Sequence, residues 1–190
     1  MGELKFKFDS LDTYKIFRHL MNNGDLLEFS SFSTIGKMIR ALTRRDVNHT
    51  ALVWSVDEFK NVRDRRFIME ALSQGLELNL ISARLKDYKG DVYWYSLKEE
   101  YGEYRDAVAS ICLLAEGRTK EIRYDYLSLF RNAYKKVSVD VEKYSFCSEF
   151  AQWVLEESGI LKKQNRALRP GEFDDLGIFK PRIQIYKWRK

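Results

Sequence analysis

A cysteine attacks a carbonyl when a nearby base takes its proton and a third group orients that base. This chain has few residues for the task, two cysteines and two histidines in 190 residues. Cys147 stands in Tyr144-Ser-Phe-Cys-Ser-Glu-Phe-Ala-Gln-Trp-Val-Leu. Phe150, Val154 and Leu155 recur at helical spacing, Ser145 has the chemistry of an N-cap, and Gly159 that of a stop. The spacing therefore predicts a helix over 147–158 with Cys147 in its first turn. Unpaired N–H groups and the positive end of the helix dipole favour an anion there, a thiolate included. Position alone also fits a small buried hydrophobe, so the base decides.

His19 lies in Leu11-Asp-Thr-Tyr-Lys-Ile-Phe-Arg-His-Leu-Met, a short amphipathic stretch ending at Asn23-Gly24, and reads as a surface or half-buried residue. His49 opens His-Thr-Ala-Leu-Val-Trp, whose β-branched and aromatic content is that of a buried strand. A second apolar run, Arg66-Phe-Ile-Met-Glu-Ala-Leu, pairs with it as an antiparallel neighbour and carries one carboxylate, Glu70. A carboxylate in such a strand requires a partner. One reading gives Glu70 to a nearby arginine; the other has it accept a hydrogen bond from the His49 ring, fixing the tautomer and stabilising the imidazolium.

The order of motifs resembles the permuted papain-like hydrolases of the NlpC/P60 superfamily, in particular the YiiX/YebB-like group, over most of the chain. The resemblance runs through Gly24-Asp-Leu-Leu-Glu-Phe, the helix-like Ser33-Thr-Ile-Gly-Lys-Met-Ile-Arg-Ala-Leu-Thr, and Val47-Asn-His-Thr-Ala-Leu-Val. It continues through Ile68-Met-Glu-Ala, Gly75-Leu-Glu-Leu-Asn-Leu, Tyr88-Lys-Gly-Asp-Val-Tyr-Trp, Phe146-Cys-Ser-Glu-Phe and Arg169-Pro-Gly-Glu-Phe-Asp-Asp-Leu. In that family the histidine precedes the cysteine and the third polar residue sits on the strand after the histidine. The resemblance thus implies Cys147 as nucleophile, His49 as general base and then acid, and Glu70 as the orienting carboxylate. It also implies a circularly permuted papain-like fold over residues 1–190 as one domain. Two departures stand out: Thr50 replaces the usual small or aliphatic residue after the histidine, and the strand lacks the usual glycine pattern. The Asn-Cys-Glu-His-Phe signature of the lecithin:retinol acyltransferase group reads Phe146-Cys-Ser-Glu-Phe here, which departs from an acyltransferase assignment.

The implied activity is a cysteine hydrolase cleaving amide bonds in a peptide, cell-wall peptide or acyl-amide substrate, with the Cys147 backbone N–H as one oxyanion donor. A second reading is an acyltransferase or thioesterase on lipid substrates, separable by product analysis with added acceptors. A third is a catalytically inactive binding module with a basic surface, whose binding falls with salt and survives Cys147→Ala.

Composition fits one compact domain: 45% hydrophobic residues, no repeat and no low-complexity linker. Cys112, on the apolar side of a helical stretch, reads as a packed core thiol, and two such cysteines give no disulfide framework. The formal net charge is +5. Basic residues gather at 63–66, 162–169 and 180–190, but acidic residues are interleaved, and the alternating tail Pro181-Arg-Ile-Gln-Ile-Tyr-Lys-Trp reads as a final strand rather than a nucleic-acid arm. No nucleic-acid partner is expected. No zinc pattern, phosphate loop or dinucleotide fingerprint occurs, so no metal and no cofactor are expected. The first residues alternate charged and apolar side chains without the apolar core of a signal peptide, and no transmembrane segment is visible. The expected location is cytoplasmic or phage-associated.

The coarse architecture is α+β, an antiparallel sheet packed against helices. The patterns predict a helix over 12–22, strands over 25–30, 49–54, 66–71, 76–82 and 91–95, helices over 97–116, 123–133 and 147–158, and a closing strand over 182–188. Asp25 is expected to end a turn or cap a helix rather than line a pocket.

Overall fold

The computed structural model describes residues 11–55, 65–72, 75–117 and 142–188. Its centre is a six-stranded antiparallel sheet of β1 (Leu26–Ser31), β2 (His49–Ser55), β3 (Arg66–Leu72), β4 (Gly75–Leu80), β5 (Gly90–Tyr95) and β6 (Ile183–Lys187), in the order β4-β3-β2-β1-β5-β6. The helices are α1 (Asp12–Phe17), α2 (Thr34–Thr43), α3 (Ile81–Lys86), α4 (Arg105–Gly117) and α5 (Glu142–Glu157). The helix expected over 123–133 falls outside the described residues.

The central strands read as continuous apolar runs because both faces of the sheet are covered. On one face Leu26, Leu52 and Met69 pack against Val108 and Cys112 of α4 and Phe150, Ala151, Val154 and Leu155 of α5. On the other, Leu27, Phe29, Ala51, Val53 and Ile68 pack against Tyr14 of α1 and Ile81 and Leu85 of α3. Cys112 is fully buried in the first cluster, as its reading as a core thiol expected, and burial pushes its thiol up to about 12.

Asp25 holds the start of the sheet together. Fully buried, its carboxylate accepts from the Asn22 and Leu97 N–H groups, the Trp94 indole and the Arg105 guanidinium at 2.9–3.0 Å. It therefore ends a turn, as expected, and also anchors the entry into α4. Glu28 is less well served. Its Oε1 accepts from the Gly171 N–H at 2.7 Å and the Thr50 hydroxyl at 3.2 Å, while Oε2 is buried without a partner. Burial pushes its carboxyl up to about 7, against the lowering effect of the Gly171 N–H.

One glycine sets the approach of α2 to the sheet. A Cβ on Gly36 would lie 2.7 Å from the Ser31 carbonyl oxygen and 2.9 Å from the Ser31 Cβ. Ser33 caps α2, its side chain accepting from the Gly36 N–H at 3.1 Å. The helix is thereby seated against the end of β1, beside the first residue of β2.

Candidate active site

His49 is the first residue of β2, paired with Phe29 of β1, and its ring lies 5.4 Å from the Phe29 ring. β3 runs antiparallel beside β2 in the register Leu52↔Met69, which puts Glu70 on the same face as His49, one diagonal away. The His49 Nε2 and Glu70 Oε2 are 2.7 Å apart. The sequence offered Glu70 either an arginine or the histidine, and the structure gives it both. Arg84 of α3 donates from Nε to Oε1 at 2.9 Å, and Asn79 of β4 donates from Nδ2 to the same oxygen at 3.1 Å. The guanidinium of Arg84 lies 5.3 Å from the Phe29 ring centre and 5.4 Å from that of Tyr88, which hold its plane in place.

Glu70 is fully buried, so burial alone would raise its pKa; the hydrogen bond and charge of His49, with Arg84, outweigh this and lower it to about 2. For His49, burial works against the charged ring and is the largest single influence. Cys147, which hydrogen-bonds the ring, and Glu70 together outweigh it and raise the histidine to about 10. Since Nε2 faces Glu70, Nδ1 is the nitrogen left for the thiol. The three residues singled out in the sequence therefore form one connected cluster of thiol, imidazole and carboxylate.

The cluster opens to a cavity of about 570 Å³, lined by His49 and Cys147 together with Asn48, Arg84, Tyr88 and the Gly36 end of α2. Cys147 is 5% exposed. Arg84 and Asn79 had no signal of their own in the sequence, because the strand expected over 76–82 ends at Leu80 and α3 begins at Ile81 without a Gly or Pro to mark the change. Among the described residues no three His, Cys, Asp or Glu side chains converge as a metal-ligand set. His19 is exposed in a 3₁₀ turn, Arg18–Leu20, away from the cluster.

One expectation is corrected. α5 begins at Glu142, five residues before the cysteine, so Cys147 lies beyond the first turn. Ser145 does not stop the helix because serine is tolerated within one. The backbone N–H of Cys147 then belongs to the hydrogen-bonded body of the helix, since only the first few N–H groups are left unpaired. It is not a free oxyanion donor; the Cys147 side chain instead hydrogen-bonds the His49 ring.

Site and fold together define an α+β protein with a Cys-His-Glu cluster at the end of its sheet. No family model matches the chain, and no curated protein does. Solved structures to which it is similar include a metalloprotein, YiiX, from Escherichia coli O157:H7. The identity is 16%, over 72% of this chain and 66% of that one, with a TM-score of 0.44.

Proposed function

We propose that the chain is a cysteine hydrolase that cleaves amide bonds, in a peptide, isopeptide or acyl-amide substrate, through an acyl-enzyme. The observation that carries this reading is the His49 ring, held by Glu70 at 2.7 Å on one side and hydrogen-bonded to Cys147 on the other, inside a cavity. His49 takes the Cys147 proton, and the thiolate adds to the substrate carbonyl to give a tetrahedral oxyanion. The imidazolium then protonates the leaving amine as the C–N bond breaks. In the second half His49 removes a proton from water, the hydroxide adds to the thioester, and the thiol leaves with that proton. Glu70 stays ionised throughout, holding the ring and balancing its positive charge.

With the Cys147 N–H engaged in the helix, an oxyanion donor has to come from a side chain on the cavity wall. Asn48 is suited to that. Its Oδ1 accepts from the Ser31 N–H at 2.6 Å and from Arg40 at 3.2 Å, which fixes the amide plane and leaves the NH₂ group as the donor.

Two reagents test the reading. Iodoacetamide should alkylate Cys147 and spare Cys112 in the folded chain, and His49→Ala should slow the reaction at pH 6.5 by about tenfold or more, because the thiolate loses its cation. An activated ester, p-nitrophenyl acetate, should then give a burst of one equivalent that Cys147→Ala removes. Alkylation indifferent to His49, with no burst, would sink the proposal.

A further inference from the structure

Helix α2 faces outward with the wrong chemistry for a solvated surface. Ile35, Met38 and Leu42, spaced three and four residues apart along one stripe, are 49%, 53% and 63% exposed. Near the start of the helix two further aromatic residues, Phe32 just before it and Trp188 just after β6, meet edge to face at 5.8 Å. Exposed apolar residues scattered singly need no explanation, but a contiguous stripe does.

The charges beside this stripe identify what it fits. Lys37 on α2, Arg44 at its C-cap and Lys89 on the adjoining loop are exposed and make no ion pair among the described residues. Other exposed or half-exposed cations nearby are already matched, Arg45 with Asp175 and Arg182 with Asp46. Lys37 and Lys89 line, with Phe32 and Trp188, an open trough of about 1000 Å³ in which Asp87 is the one carboxylate among the described lining residues. That trough shares Ser31, Ser33, Arg84 and Tyr88 with the wall of the cavity containing Cys147.

We infer that α2 is a membrane-docking helix that lies flat on a bilayer carrying anionic headgroups, with Ile35, Met38 and Leu42 in the acyl boundary and Lys37, Arg44 and Lys89 at the phosphates. Short amphipathic helices bind such interfaces by this division of labour, and Trp, Phe and Lys are the side chains that settle at headgroup depth. A second copy of this chain would present the same unpaired cations to one another, which argues against self-association through this face. Ile35 of the stripe also lines the cavity containing Cys147, so docking in this pose would set that side of the cavity toward the lipid surface. The surface does not depend on Cys147 chemistry, so it stands or falls apart from the hydrolase reading.

The test is co-sedimentation of the full chain with phosphatidylcholine vesicles, with and without phosphatidylglycerol, at low and high salt. Binding should require phosphatidylglycerol, weaken as salt rises, and be unchanged in Cys147→Ala. Met38→Glu with Leu42→Glu, and separately Lys37→Glu with Lys89→Glu, should each weaken it by about tenfold or more. All four side chains are exposed, and a circular-dichroism melt confirms folding; Met38→Ser with Leu42→Ser serves if the acidic pair perturbs it. No binding to anionic vesicles, binding that ignores the α2 changes, or a dimer in sedimentation velocity that the α2 changes abolish would each overturn the inference.

Discussion

Replacing Glu70 by Gln keeps the shape of the side chain and removes its charge, so it isolates what the carboxylate does for His49. In the native cluster, Nε2 donates to a carboxylate oxygen at 2.7 Å within a site where Glu70 is fully buried and the His49 side chain is 14% exposed. A hydrogen bond to a charged group contributes about 1.5–3 kcal/mol, against about 0.5–1.5 kcal/mol for a neutral pair. The loss to the imidazolium is therefore about 1–2 kcal/mol, or about one pKa unit at 1.36 kcal/mol each. His49 should titrate near 10 in the native chain and about one unit lower in Glu70→Gln, read from its ring proton shifts by NMR. The sign also sets a stability window. A histidine raised above its ordinary 6.5 stabilises the fold fully below 6.5, and that contribution is lost as pH rises through about 10. Glu70, lowered from 4.5 to about 2, contributes above 4.5 and loses its effect as pH falls through about 2. The two overlap between about 4.5 and 6.5, so the stability that Glu70→Gln removes should be largest there. Arg84 would dilute this cost, because its side chain is 30% exposed and can turn to water. If His49 titrates at or below 6.5 in the native chain, or does not move in Glu70→Gln, Glu70 serves only as the anchor of Arg84 and the reasoning fails.

Two further outcomes follow from the same geometry. Glu28, fully buried with a pKa raised from 4.5 to about 7, is ionised at a cost as pH rises across that interval, of about 3 kcal/mol in all. Glu28→Gln should flatten the fall in stability between pH 4.5 and 7, seen as urea midpoints at pH 5 and 8; parallel profiles for the two proteins would refute it. Gly36→Ala should destabilise by about 1–3 kcal/mol although alanine is the better helix former by about 1 kcal/mol, because its Cβ meets the Ser31 backbone at 2.7 Å. A raised melting temperature in that variant would show that α2 is not pinned to β1.

The parts of this site that follow a short period were legible before the fold was known. His49 and Glu70 sit on two neighbouring apolar runs, and antiparallel pairing of such runs leaves few registers that bury both, so their meeting could be argued from pattern. Asp25 and Cys112 were legible for the same reason, one as a polar residue in a turn and the other on an apolar face. Arg84 was not, because nothing in Leu78-Asn-Leu-Ile-Ser-Ala-Arg separates the end of a strand from the start of a helix. Cys147 falls deeper in α5 than its sequence pattern suggests, because a serine that can cap a helix can also sit inside one. Asn48 and Glu28 needed the closed sheet: a polar residue beside a strand acquires a role only from what is folded over it.

The cluster draws its members unequally from the chain. His49, Glu70, Asn79 and Arg84 lie within one stretch of consecutive strands and a short helix, whereas Cys147 comes from a helix that packs on β2 and β3 from far downstream. A chain emerging from the ribosome presents its N-terminal part first, and local hairpins close faster than distant contacts. His49 and Glu70 can therefore be brought together before Cys147 reaches them. On the proposed reading, reactivity waits for α5 to dock, and a chain interrupted before Cys147 is inert by construction.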